Sequence, residues 1–152
     1  MADVTHHKLY HGDTLMIWGK GTTVKNATGL VFVAGTEGLV PTVDFSDGGR
    51  VVEGAGAQTR LALEKIKSRL EEMGSSLEHI VKLTWYVVGE FPDGVVNHRN
   101  FRFDVWDEFW RENCPKFAAD CNPPTHDLIG VSGLGIKDQV VEIACIAVLP
   151  GE

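Results

Sequence analysis

A chain of 152 residues, 43% hydrophobic and 23% charged, is long enough to bury one core and does not have a disordered composition. Its 14 basic and 21 acidic residues leave a net charge of −7, which argues against nucleic acid as a partner, since phosphate binding needs clustered Lys and Arg. No apolar run approaches the roughly 20 residues of a membrane span, no signal-peptide pattern opens the chain and the three cysteines lack disulfide-framework spacing, so one cytoplasmic domain with no membrane partner is expected.

An opening hairpin is expected from about Leu15 to Gly35. Its second half, Gly29-Leu-Val-Phe-Val-Ala-Gly35, is a short apolar run closed by glycines, the mark of a buried strand. Glycines then crowd the chain as far as Gly56. From Ala57 to Met73 the period becomes helical: Ala62, Leu63, Ile66, Leu70 and Met73 share a stripe, Arg60, Glu64, Lys67 and Glu71 face away, and Gly74 is the stop. Ile80 to Val88 alternates Leu83, Trp85 and Val87 against Lys82, Thr84 and Tyr86, a strand. Phe103 to Asn113 carries Phe103, Trp106, Phe109 and Trp110 at helical spacing and ends at Cys114-Pro115. Two further strands are predicted, around Asp127 to Val131 and from Gln139 to Leu149. Two helices cannot cover both faces of such a sheet, so both should lie on one. The other face then needs burial in subunit contacts.

Glu142 interrupts the apolar run Val140 to Val148, where a carboxylate is costly unless it meets a polar cleft or water at a strand end. Alternation puts Glu142, Ala144, Ile146 and Val148 on one face and Val141, Ile143, Cys145 and Ala147 on the other. In a cleft, the carboxylate could act as a general base on water or as an acid. His126 opens a strand after Pro123-Pro124-Thr125. It is either a surface residue or a group that bonds an anion and passes a proton near neutral pH. Cys114, Cys121 and His126 lack the spacing of zinc ligands, as do His7 and His11, so no metal site is expected. Gly19-Lys20-Gly21 is not a phosphate loop, because no Lys-Ser or Lys-Thr follows the second glycine.

Three blocks together resemble the Rid (reactive intermediate deaminase, YjgF-type) family. They are Leu30 to Gly35, then Gln58 to Ile66 running on to Gly74 with Ile80 to Thr84 and Val87, and finally Val141 to Val148. Order and spacing agree from about Gly29 to Val148. The resemblance implies an α+β, chorismate-mutase-like fold, a mixed β-sheet with two helices on one face. It also implies a homotrimer whose sheets line a barrel, with small-molecule sites in three clefts between subunits. Typical members hydrolyse enamines and imines such as 2-aminoacrylate, without a cofactor, to a keto acid and ammonia. By the same resemblance Glu142 handles the water, Gly35 ends the first conserved strand, and Asn97 is the pocket asparagine before the second helix.

Two departures stand out. His126 occupies the place of the arginine that clamps the substrate carboxylate in the family's deaminases, and Ala34 replaces a serine. Imidazole is a poorer carboxylate partner than a bidentate guanidinium. A specialised enamine, imine or related small molecule is therefore the expected substrate, an aminomuconate-like catabolic intermediate being one candidate. Glu142 and His126 would be the catalytic pair, with Trp18 or Trp85 lining the cleft. The alternatives are a non-catalytic ligand-binding trimer and, weakest given the charge, a ribonuclease or translation inhibitor.

Overall fold

A computed structural model describes residues 1–40, 48–89 and 104–151 of the protein. Strands β1 (Asp3–His11) and β2 (Thr14–Lys25) pair antiparallel through a two-residue turn at Gly12-Asp13, where Gly12 takes φ 58°. Positive φ at this turn suits glycine. The expected hairpin from Leu15 to Gly35 is thereby corrected. Asn26, at φ 56°, redirects the chain between β2 and β3 (Ala27–Glu37), so β2 pairs with β1 while β3 joins another sheet. Asn is one of the few residues that tolerates that conformation.

The main sheet has the order β3-β6-β4-β5, with β4 (Ile80–Val88), β5 (Thr125–Val131) and β6 (Val141–Pro150). β6 runs antiparallel to β3 and β4, and β4 runs parallel to β5. The expected alternation is present. Val141, Ile143, Cys145 and Ala147 are buried, together with Val31, Val33, Leu83, Trp85 and Val87. Helix α1 (Ala55–Glu72) lays Ala62, Leu63, Ile66 and Leu70 on that face. Helix α2 (104–113) adds Trp106, Phe109 and Trp110. Phe103, predicted to begin α2, lies outside the described residues. Both helices cover one face, as the two-helix count required.

α1 ends where Gly74 was expected to stop it. Gly74, at φ 77°, donates to the Glu71 carbonyl at 3.1 Å, and the Ser75 N–H reaches the Leu70 carbonyl at 2.8 Å. This is the paired bonding of a Schellman end, which leaves few orphan carbonyls. No helix among the described residues is long and apolar enough to cross a membrane.

The uncovered face tells a different story. Leu30 and Phe32 are 61% and 67% exposed on β3, and Ile129 on β5 is 41% exposed, flanking half-buried Ala144 and Ile146 of β6. A lone exposed leucine is ordinary, but apolar side chains side by side on β3 and β6, with Ile129 beyond the polar face of β4, make a surface that seeks cover.

The β1–β2 hairpin is tied to this sheet by hydroxyls. Thr22 donates to the Val81 carbonyl at 2.9 Å and lies 2.7 Å from the Thr125 hydroxyl. Its proton being committed, Thr22 accepts from His6 Nδ1 at 2.8 Å, which selects the Nδ1–H tautomer. His6 is 3% exposed and packs edge-on against Phe117. Burial, reinforced by the Lys116 ammonium, lowers its pKa from 6.5 to about 4. The unfolded chain therefore holds a proton between these values that the folded chain lacks. Stability is full above pH 6.5 and falls as pH drops through that window, by up to about 3 kcal/mol. Urea melts at successive pH values should show a steeper acid loss for the wild type than for His6→Gln. Parallel losses would remove His6 as the cause.

Candidate functional site

Glu142 occupies the second position of β6, where alternation turns its side chain away from the helices and onto the uncovered face. Tyr86 stands directly across from it on β4, and Glu37 on β3. Its Oε2 accepts from Gln139 Nε2 at 3.2 Å. Gln139 is 5% exposed and otherwise satisfied: its Nε2 also reaches the Val141 carbonyl at 3.3 Å, and its Oε1 accepts from the Ile136 N–H at 3.2 Å. The carboxylate is thus held on one oxygen.

The other oxygen lies against β3. The β3–β6 register slips between Val33 and Thr36, so Ala34 and Gly35 bulge at this point. A Cβ built on Gly35 would fall within the Glu142 carboxyl group, 2.7 Å from Cδ and 3.1 Å from Cγ, with Oε1 nearer still. Only glycine leaves that space to the carboxylate. Gly35 and Glu142, two of the residues expected at the site, are therefore brought into contact.

Beside them a groove of about 340 Å³ follows the edge of β3, lined by Phe32, Ala34, Gly35, Arg69, Glu72 and Met73. Arg69, half-buried on α1, donates to the Thr36 hydroxyl at 2.7 Å, and Thr36 in turn donates to the Ala34 carbonyl at 2.8 Å. Arg69 makes no ion pair among the described residues, whereas Arg60 and Arg111 are each paired with two acids. The groove thus sets a fixed guanidinium and the Glu72 carboxylate beside apolar wall, a combination suited to a small zwitterion with an apolar substituent.

The remaining expected site residues lie elsewhere. His126 is paired with Leu83, so it shares the helix-covered side with Trp85, not the side of Glu142. Its ring sits edge-on to Trp106 at 5.3 Å and to Trp18 at 6.1 Å, and tilted to Trp85 at 6.4 Å. Within one subunit the pleat sends Glu142 and His126 through opposite faces, so the expected pair would have to be drawn from two subunits. Trp85, 0% exposed, is core rather than cleft wall, and half-buried Trp18 stands edge-on to His126. Asn97 lies outside the described residues. Among the described residues, no group of three or more His, Cys, Asp or Glu is placed to hold a metal ion. Burial raises the Cys114 and Cys145 thiols to about 11 and about 12, which leaves them protonated and unreactive at neutral pH.

Sequence reasoning passed over Gln139 and Arg69. Gln139 did carry a signal, a polar residue three positions before Glu142 at the entrance to an apolar strand. Arg69 carried none, since its place on α1 reads as part of a solvated helix face.

A family model described as Endoribonuclease L-PSP matches residues 20–149. Among solved structures, the chain is similar to YyfB of Yersinia pestis, a protein of unknown function from the conserved Rid family (21% identity, 87% of this chain and 86% of that one, TM-score 0.63). It is also similar to Escherichia coli TdcF with bound serine (22% identity, 95% and 92%, TM-score 0.61). The YjgF gene product of Escherichia coli matches at 24% identity over 86% and 87%, with a TM-score of 0.60. No curated protein matches the chain. At these identities the solved structures speak for the fold.

Proposed function

The chain belongs to the YjgF/Rid family, and from that premise we propose that it is a cofactor-free hydrolase of a small imine, or of an enamine by way of its imine tautomer. One observation carries this reading: a carboxylate, braced on one oxygen, lies over Gly35 on the uncovered face, next to a groove with a fixed cation. Hydrolysis of an imine adds water to carbon and expels ammonia. It needs a group that takes a proton from the attacking water and returns it to the departing nitrogen. A carboxylate can do both, and an enamine first needs only a proton on carbon. Glu142 fills that role.

Arg69 lines the groove as a cation for an anionic substituent, and Phe32 and Met73 supply apolar wall. TdcF was solved with serine, a ligand of amino-acid size, and a groove of about 340 Å³ has room for a compound of that class. The favoured substrates are imino acids with apolar side chains. Such compounds can be generated in situ by an amino-acid oxidase and their disappearance followed, with 2-aminoacrylate as the comparison. Relatives named for endoribonuclease activity raise a second reading. The net charge of −7 opposes it, because a nuclease must attract phosphate.

The exposed Leu30, Phe32 and Ile129 support the second half of this proposal, a homotrimer in which the uncovered faces meet and the Glu142 site opens between subunits. Light scattering should give a mass near three 16.6 kDa chains, and Phe32→Asp should shift it to one. A wild-type monomer at micromolar concentration would contradict the trimer.

A further inference from the structure

Gln139 is buried at the entrance to β6, and nothing in the reaction chemistry requires an amide there. A buried primary amide costs free energy unless its polar atoms are bonded, and an apolar side chain would fill the space more cheaply. This one is fully used, and each of its bonds serves the same end. The Ile136 N–H, at 3.2 Å, and the Val141 carbonyl, at 3.3 Å, fix the amide plane. Its Nε2 then meets Glu142 Oε2 at 3.2 Å.

The segment that carries Gln139 is itself clamped. Gln58, buried near the start of α1, accepts from the Val140 N–H at 3.0 Å and donates to the Asp138 carbonyl at 3.0 Å and the Val52 carbonyl at 3.1 Å. Asp138, at φ 62°, makes the turn that brings the Gln139 side chain back over Glu142. One glutamine thus locks the backbone at residues 138–140, and the next locks the carboxylate. We propose that Gln139 is a positioning residue. It captures Glu142 Oε2 so that Oε1, over Gly35, is the oxygen that exchanges protons with water and substrate.

This inference rests on the hydrolase reading of Glu142. A carboxylate free to rotate presents either oxygen, at varying distances, to the reacting water. One held on Oε2 presents Oε1 alone, and small misplacements of a reacting group are expensive.

The test compares wild type, Gln139→Leu and Gln139→Glu on imino acids generated in situ. In parallel, the Gln139 side-chain amide signal is followed by NMR as a function of pH. Gln139→Leu should melt like the wild type and keep its KM within about twofold, while kcat falls about tenfold. The kcat of Gln139→Glu should fall further, because a second carboxylate repels the first instead of holding it. The Gln139 amide signal should follow a titration in the wild type that is missing in Glu142→Gln. Wild-type kcat in Gln139→Leu would overturn the positioning role and leave the hydrolase reading standing. Should the wild type consume no imine, the hydrolase reading fails. The amide signal then decides by itself whether Gln139 holds Glu142, and a signal blind to that titration overturns the capture.

Discussion

Glu142→Gln is expected to lose most turnover, about 100- to 10,000-fold, while keeping its fold and its melting temperature. The substitution is nearly isosteric, and the amide oxygen of the new glutamine can still accept from Gln139 Nε2, the bond now 3.2 Å long. What disappears is the ability to take a proton from water and return it to nitrogen. Because Glu142 lies on the uncovered face and not in the core, little packing is at stake. Substrate binding should change far less than kcat, since the loss is confined to the transition state. A Gln variant with undiminished turnover would return Glu142 to a structural role.

Gly35→Ala should cost turnover on the same scale, by a different route. The added Cβ would stand 2.7 Å from Glu142 Cδ and closer to Oε1, so the carboxylate must swing away from Gln139. The end of a half-buried side chain gives way at little cost in stability, but here the displaced group is the reactive one. The two positions should be coupled. Gly35→Ala placed on a Glu142→Ala background meets no carboxylate, so it should melt like Glu142→Ala alone and lose no further turnover. Full turnover in Gly35→Ala, or melting losses that simply add, would show that the two residues do not share one space.

Much of this architecture is legible in the residues themselves. The alternation of Val141 to Ala147, the helical stripe from Ala62 to Leu70 and the stop at Gly74 are local patterns, and local patterns survive folding. β1 was not legible, because Asp3-Val-Thr-His-His-Lys mixes polar groups on both faces and lies in a hairpin that packs on only part of one side. The contact between Gly35 and Glu142 depends on a bulge at Ala34–Gly35, and no sequence period records a one-residue slip. The face of His126 was hidden for the same kind of reason. Its face is set by the parallel register with β4, which pairs it with Leu83, and one residue of register exchanges the two sides of a strand. Glu142 stood out because a charge inside an apolar run is conspicuous wherever it points. Gln139, neutral and at the strand entrance, was not.

The central claim is that the carboxylate over Gly35 hydrolyses a carbon–nitrogen double bond. It is tested most directly by the rate at which in situ generated imino acids with apolar side chains disappear with wild type, with Glu142→Gln and with no protein. The expected result is rapid consumption with ammonia release by the wild type, and rates near the protein-free value with Glu142→Gln. Equal rates in all three, across imino acids and 2-aminoacrylate alike, would contradict it.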